Sequence, residues 1–374
     1  MKKIFGKGFM EIVKKIVQDK ILWTAAAIAS LSLIISRPQA SDLDWQTIFS
    51  LAALMAVIQV FEKLNLLSNG AAYLISRASN QRTLMQLLLV LTFIGSMFLT
   101  NDVSILTIVP LFAIIAKQLE IKPVLPVVLI NLAANLGSLV TPIGNPQNLF
   151  LLKYYQLTLL DFVKLAGPIT LFSLLLLGSW SCKFAKTSVS APQIFKSKLP
   201  GVKLWLTVIL TVPILLGILG LLSSWVMLLL ALILLIVIDY RLLAKIDYGL
   251  LLTFICFFIA VGDLSRAELV RRSLDALLNS SVAVYLTSLG ISQLISNVPA
   301  AILLAPFSHA VQALFLGVNL GGLGTLIASL ANLLAYKQYL LNFKKKSDNY
   351  LLIFTKINLI SLAFLGIIGY FLIK

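Results

Sequence analysis

"NLGSLVTPIGNPQN", residues 135–148, breaks an otherwise almost uniformly apolar chain with three asparagines, two glycines and two prolines. These are the residues a helix tolerates least. "NLGGLGTLIASLAN", residues 319–332, aligns with it without gaps. Identities fall at Asn135/Asn319, Leu136/Leu320, Gly137/Gly321, Leu139/Leu323, Thr141/Thr325, Ile143/Ile327 and Asn148/Asn332. Both outer asparagines stay in register, so the two stretches form an internal repeat that organises the whole chain.

The class follows from composition. Of 374 residues, 60% are hydrophobic and 12% charged, against about 25% charged in soluble domains. Lipid admits only helices or closed barrels, and the apolar runs are far too long for barrel strands. The fold class is therefore an all-α polytopic membrane protein. The net charge of +16 reads as topology, because the basic residues do not interleave with aromatics on a soluble face; no nucleic-acid partner is expected. Cys182 and Cys256 lie far apart in apolar runs, and read as packed, unpaired thiols. Residues 1–20 are basic and amphipathic, with no small-residue cleavage site after them. A retained interfacial helix on the cytoplasmic side is expected.

Segments long enough to cross fall near 21–37, 46–62, 123–152, 162–182, 204–221, 224–240, 248–262, 310–336 and 350–373, some only with tilt or thinning. Residues 83–117 and 281–308 differ. Each carries a polar cluster at its centre, Thr100-Asn101-Asp102 and Ser296-Asn297 before Pro299. The spacing predicts re-entrant hairpins with two short arms and a polar tip. Most basic residues then gather on one side, in the N-terminal stretch and in 63–82, 117–122, 183–203, 241–245 and 337–346. The positive-inside rule places the N-terminus inside the cytoplasmic membrane and the C-terminus outside.

The halves line up as 21–182, with hairpin 83–117 and broken helix 123–152, and 224–374, with hairpin 281–308 and broken helix 310–336. "LDW" at 43–45 recurs as "IDY" at 246–248. Residues 183–223 supply a cytoplasmic loop and one linker helix. That odd helix inverts the second repeat, and inverted repeats with broken helices near the midplane are the architecture of secondary transporters.

An unwound stretch in lipid leaves backbone groups unsatisfied at several kcal/mol each, so it must face protein, water or a ligand. Freed carbonyls, with Asn and Thr side chains, are hard oxygen donors suited to Na⁺. The N-termini of half-helices suit an anion. The candidate ion- and substrate-binding residues are Thr100, Asn101, Asp102, Asn135, Gly137, Thr141, Gly144, Asn145, Asn148, Ser296, Asn297, Asn319, Gly321, Gly322, Thr325 and Asn332. Asn101, Asp102 and Asn135 are the candidate Na⁺ ligands, and no cofactor is expected. The tips and breaks are expected to converge on one solvated cavity, with the tips approaching from opposite faces. Asp102, the only acidic residue well inside a predicted apolar stretch, can ligate a cation, carry a proton or hold the tip together. Its repeat mate is Val298. His309 reads as a solvated interfacial residue. A P-loop, HExxH and a GxSxG elbow are absent, and no nucleophile–base pair supports an enzyme.

"TNDVSILTIVPL" at 100–111 with "ANLGSLVTPIGNPQN" at 134–148 resembles the ArsB/NhaD-type ion transporter superfamily, which includes citrate-transporter-like permeases and is related to the divalent anion/sodium symporters. The resemblance runs through both halves. It implies a homodimeric elevator transporter, in which a body of hairpins and broken helices slides against a scaffold. In those symporters the tips read Ser-Asn-Thr and bind Na⁺ and substrate carboxylates; here they read Thr-Asn-Asp and Ser-Asn-Val, keeping the asparagine and departing at the third position. The expected function is secondary transport of a small ion, an inorganic or carboxylate anion, coupled to Na⁺ or H⁺. Alternatives are an arsenite-type efflux permease, a Na⁺/H⁺ antiporter or a passive channel.

Overall fold

A computed structural model describes residues 10, 12–14, 16–66, 69, 78–188, 201–343 and 349–374. Its helices are α1 (Lys20–Ser32), α2 (Trp45–Lys63), α3 (Gln81–Leu99), α4 (Asn101–Gln118), α5 (Val124–Ser138), α6 (Pro146–Tyr154), α7 (Leu159–Ser181) and α8 (Gly201–Ile218). After these come α9 (Ser224–Asp239), α10 (Tyr248–Arg266), α11 (Glu268–Leu277), α12 (Ser281–Ile295), α13 (Asn297–Leu304), α14 (Val311–Gly321), α15 (Leu330–Asn342) and α16 (Tyr350–Leu372). Among the described residues eight helices are long and apolar enough to cross a membrane, or nine if α11 and α12, bent by 110°, make one span.

The helices sort into two compact units, and the cut does not follow the repeat. Unit 1 comprises Met1–Leu64 and Lys198–Ala276; unit 2 comprises Asn65–Ser197 and Leu277–Lys374. Each takes helices from both halves.

In unit 1, α1 packs along α10, and α9 lies against α2 and α8. The recurring "LDW" and "IDY" turn out to be helix caps. Asp44 accepts from Thr47 N–H at the start of α2, and Asp247 accepts from Leu250 N–H at the start of α10. Their backbones match, with φ/ψ of −80/82 and −82/81. The other feature of this unit is a polar clamp. Asp263 is fully buried; it accepts from Ser32 Oγ at 2.9 Å and from Arg266 at 2.6 Å. The same guanidinium donates to both oxygens of Asp42 at 2.7 and 3.0 Å and to Ser36 Oγ at 2.7 Å. Removing Arg266 strands a buried carboxylate, and such losses cost about 3–5 kcal/mol. The Asp42 carboxyl is held below its ordinary 3.8 first by the hydrogen bond from Arg266. A carboxylate depressed in the fold stabilises it above the unfolded value and loses that contribution as pH falls through the folded one. Melting of the purified protein should therefore feel no loss from the Asp42–Arg266 pair between pH 7 and 5, and lose the pair's contribution only below about 3.8. In Arg266→Ala that acid-sensitive component should be missing.

Unit 2 holds the hairpins and broken helices. α3 packs along α5 and α12 along α14, while the second arms cross over, α4 against α15 and α13 against α6. Gln81, Lys117, Pro123, Asn342 and Phe343 line one cavity, so the first hairpin opens at the end where α5 begins and α15 finishes. The second opens where α6 finishes, since Tyr155 Oη donates to Ala305 O at 3.1 Å and Ser308 O at 2.8 Å.

Several expectations change. The 21–37 segment yields only the 13-residue α1, which ends at Ser32, about 20 Å of helix. The first hairpin's arms are not short: α3 and α4 have 19 and 18 residues, each by itself of crossing length, because helix fills the predicted range almost completely and the turn takes only Thr100. Two crossings or one re-entry leave the topology's parity the same. The second hairpin's arms are short, 15 and 8 residues. Both cysteines are free, yet Cys182 is exposed, since α7 ends beside it. Asp263 is a buried acid just past the predicted span; α10 runs four residues beyond 262 and buries it. In the predicted 1–20 helix, residues 12–14 and 16–18 are helical; residues 1–9, and the basic run 344–346, lie outside the described residues.

Candidate functional site at the two helix breaks

Each hairpin turns on a single residue. Thr100 sits at φ 70, ψ 156 and Ser296 at φ 77, ψ 154, a region almost reserved for glycine that costs a larger residue about 1–3 kcal/mol and concentrates at functional sites. This turn lets the tip asparagine reach the break of its own half. Asn101 N–H donates to Gly144 O at 3.2 Å, and Asn297 N–H to Ala328 O at 2.9 Å. These carbonyls occupy matching positions in the two copies of the opening motif. Neither Thr100 nor Ser296 caps its helix with its side chain; the N–H groups of Asn101, Asp102 and Asn297 are taken instead by Gly144 O, Asn101 Oδ1 and Ala328 O.

The glycines allow the arms to come this close. A Cβ on Gly137 would strike Phe93 O and Ser96 Oγ, and one on Gly321 would lie 2.7 Å from Ser292 Oγ. Ser96 and Ser292 each stand five residues before their tip asparagine. The threonines tie in at the same level: Thr141 Oγ1 donates to Met97 O, and Thr325 Oγ1 to Gln293 O at 3.1 Å.

The motif's closing asparagines bridge the breaks. Asn148 Nδ2 faces Ser138 O at 3.2 Å, Leu139 O at 3.3 Å and Thr141 O at 3.1 Å. Asn332 Nδ2 does the same for Gly322 O at 3.0 Å and Thr325 O at 2.8 Å. These are the carbonyls that unwinding frees, which answers where the backbone bonds of the breaks go. The opening asparagines then cross between halves. Asn135 Nδ2 donates to Asn332 Oδ1 at 2.8 Å, and Asn319 Nδ2 to Asn148 Oδ1 at 2.7 Å. A second crossed pair runs from Asn145 Nδ2 to Asn319 Oδ1 and from Ser329 Oγ to Asn135 Oδ1, both at 3.2 Å. Asn332→Ala strands the buried Gly322 carbonyl, the Thr325 carbonyl and two amide donors. At about 1–3 kcal/mol per unsatisfied buried group, thermal unfolding of this variant and of Asn148→Ala should show losses of about 2–4 kcal/mol.

Asn101 joins the network by donating to Asn135 Oδ1 at 3.3 Å, while its own Oδ1 accepts from Asp102 N–H at 3.0 Å. The candidate Na⁺ ligands Asn101, Asp102 and Asn135 are thus adjacent. Asp102 is half-buried in the first turn of α4. One expectation is corrected here. The tip asparagines are 5% and 4% exposed, and Asn135, Asn145, Asn148, Asn319 and Asn332 bond directly to one another, where the sequence predicted a solvated cavity. Side-chain amides carry donors and acceptors together, so they can close on each other without water.

Four participants escaped the sequence reading. Asn131 donates to Asn332 Oδ1 at 2.9 Å; it lies one helical turn before Asn135, and that spacing could have found it. Ser138 and Ser329 hold break amides, and Gln293 sits one turn before the second tip. His309 is exposed and apart from this network.

A model of the citrate transporter family matches residues 13–315. The chain belongs to this family. An uncharacterized transporter of Methanocaldococcus jannaschii is 34% identical over 299 residues, covering 79% of this chain and 81% of that one. The inner membrane protein YbiR of Escherichia coli is 30% identical over 308 residues, covering 79% and 80%. A Dictyostelium discoideum protein named arsB is 26% identical over 126 residues, 34% of this chain and 22% of its own. As a citrate transporter family member, the chain is a multi-pass membrane transporter whose two helix breaks meet in one asparagine network.

Proposed function

We propose that the protein is a secondary active transporter that carries a small anion, a carboxylate in preference to an inorganic oxyanion, coupled to a cation. The observation that carries this reading is the pair of uncapped hairpin tips meeting two helix breaks in a buried network with no lysine or arginine among its members. An anion is held there by the positive dipole ends of the tip helices, with hydroxyls and amides. The carboxylate preference leans on the family's name.

The two tips divide the work. Asp102 in the first turn of α4 makes that end attractive to Na⁺ with Asn101 and Asn135 as further ligands, H⁺ being the alternative coupling ion. Val298 leaves the second tip without a negative charge, which favours the anion. The contacts that recur between the two copies of the motif, and hairpins that open at opposite ends of unit 2, support an inverted repeat. All sixteen candidate residues lie in unit 2, which supports an elevator in which unit 2 moves with its cargo. We assign the N-terminus to the cytoplasm, the C-terminus to the outside of the cytoplasmic membrane, and a homodimer as the working form. An arsenite-type permease, a Na⁺/H⁺ antiporter and a channel are the competing readings.

Purified protein in liposomes decides among them. Labelled citrate, other di- and tricarboxylates, oxyanions and arsenite are offered with and without inward Na⁺ and pH gradients. Counterflow of a labelled carboxylate is the expected result. Unitary currents without counterflow overturn the carrier, and accumulation of arsenite alone overturns the carboxylate assignment.

A further inference from the structure

Two oxygens near the first tip stand without a partner. Ser104 Oγ on α4 and Asn131 Oδ1 on α5 belong to fully buried residues, and among the described residues neither atom has a hydrogen-bond partner. Buried side-chain oxygens are almost always paired, and an exception calls for a physical reason such as a bound water or ion. Thr92, Ser288 and Ser292 give their hydroxyls to the carbonyl one turn back; Ser104 does not.

The asparagine network brings the two oxygens to one place. α4 and α5 pack against each other. The Asn101–Asn135 bond joins them at one end, and Lys117 and Val124 line one cavity at the other, so they run antiparallel. Ser104 follows Asn101 by three residues and Asn131 precedes Asn135 by four, spacings that keep each on the face carrying that bond. The rise per residue places them about 4.5 and 6 Å from it, toward the open end of the hairpin. The direction of the Asn131 amide is fixed as well. Asn332 Nδ2 donates to Gly322 O and Thr325 O, which turns Asn332 Oδ1 to the Nδ2 groups of Asn131 and Asn135. Asn131 must then point its oxygen away from Asn332.

The second half does without both atoms. In the register of the tips Ser104 corresponds to Ala300, and in the register of the motif Asn131 corresponds to Phe315. Both are fully buried, and Phe315 packs edge-on against Phe162. Packing at this level is met by apolar side chains, so it does not demand the two oxygens. We infer that Ser104 Oγ and Asn131 Oδ1 are ligands of a sodium ion held one helical turn from the first tip. Neutral hydroxyl and amide oxygens suit a hard monovalent cation, whereas Ca²⁺ and Mg²⁺ sites are built on carboxylates. The inference goes beyond the proposed function, which places its cation at Asp102. It shares no ligand with that site and stands whether or not this ion moves with the substrate.

The test uses the full chain in lipid nanodiscs. Melting temperature is followed against NaCl, with choline chloride holding ionic strength, since an ion that binds only the folded state raises it. Asp102→Asn removes the charge of the tip and should keep a saturable Na⁺ response. Adding Ser104→Ala to it should raise the half-saturating Na⁺ concentration about 10- to 100-fold, the worth of one contact to a charge. In choline Ser104→Ala should melt at or above wild type, because it copies the second half and deletes an oxygen that no protein group satisfies. Ser361→Ala removes another buried unpartnered hydroxyl, on α16, and should leave the Na⁺ response as it is. Loss of the whole response in Asp102→Asn overturns this site and keeps that of the tip. An unchanged response on adding Ser104→Ala overturns it too, and makes the partner of the two oxygens an ordered water only. Equal weakening by Ser361→Ala overturns it as a general effect of deleting a buried hydroxyl. A wild type indifferent to Na⁺ overturns both this site and the sodium reading of the tip, and that titration needs no variant to fold.

Discussion

Uptake by Asn101→Ala and by Asn297→Ala should collapse while both proteins still fold. Each asparagine delivers a backbone N–H to the break of its own half, at 3.2 and 2.9 Å, and its side chain stands at the N-terminus of the arm that follows. A hydrogen bond to a charged ligand is worth about 1.5–3 kcal/mol, which is about a 10- to 100-fold loss of affinity at 1.4 kcal/mol per decade. The N–H to carbonyl bond survives substitution, since it is backbone. The stability cost is larger than a solvated residue would incur, because both side chains are buried; about 1–2 kcal/mol is expected from the lost side-chain bonds. Counterflow and thermal melting measured on the same preparations separate the two effects. Normal uptake by both variants removes the tips from the site.

Asp102→Asn has a different signature. If the carboxylate is a cation ligand, the half-saturating Na⁺ concentration rises about 10- to 100-fold while substrate exchange at saturating Na⁺ continues. If it carries a proton, the amide fixes the neutral state: exchange persists and accumulation against a gradient is lost, together with the pH dependence of uptake. Glu is a poor replacement in both cases, because its extra methylene moves the carboxylate in a half-buried turn where Asn101 Oδ1 already accepts from the residue's own N–H. Unchanged Na⁺ and pH profiles in Asp102→Asn make the residue structural.

Much of this site was legible in the chain. Prolines, glycines and asparagines act locally, so Pro142, Pro146 and the paired motifs placed both breaks, and α5 and α6 stop and restart around them. The aspartates of "LDW" and "IDY" were legible as a repeat, and their chemistry as caps follows from the same local rule. Other features depended on packing. Gln293 is an unremarkable helix residue until Gly321 and Thr325 stand beside it. The fully buried carboxylate of Asp263 is tolerable only because Arg266 and Ser32 meet it, and Ser32 lies 231 residues away. The sorting of both halves into mixed units was beyond a linear reading, since periodicity gives the apolar face of a helix and not the neighbour that covers it. A polar tip reveals a turn without revealing whether its arms re-enter or cross, so the first hairpin reads as short-armed although α3 and α4 fill its whole range.

The crossed asparagine bonds have a consequence for biosynthesis. Asn135 and Asn332 are 197 residues apart, and Asn148 and Asn319 are 171 apart. At about 5–20 residues per second a ribosome takes about 10–40 seconds to make the second partner after the first has emerged. Throughout that interval the amides of Asn135 and Asn145, which pair across the halves, lack those partners, and lipid offers them nothing. The nascent first half must therefore wait in a watery or chaperoned setting until α14 and α15 arrive. Translation stalled at the linker helix should leave a protease-sensitive, poorly anchored fragment, and release should convert it to the protected form.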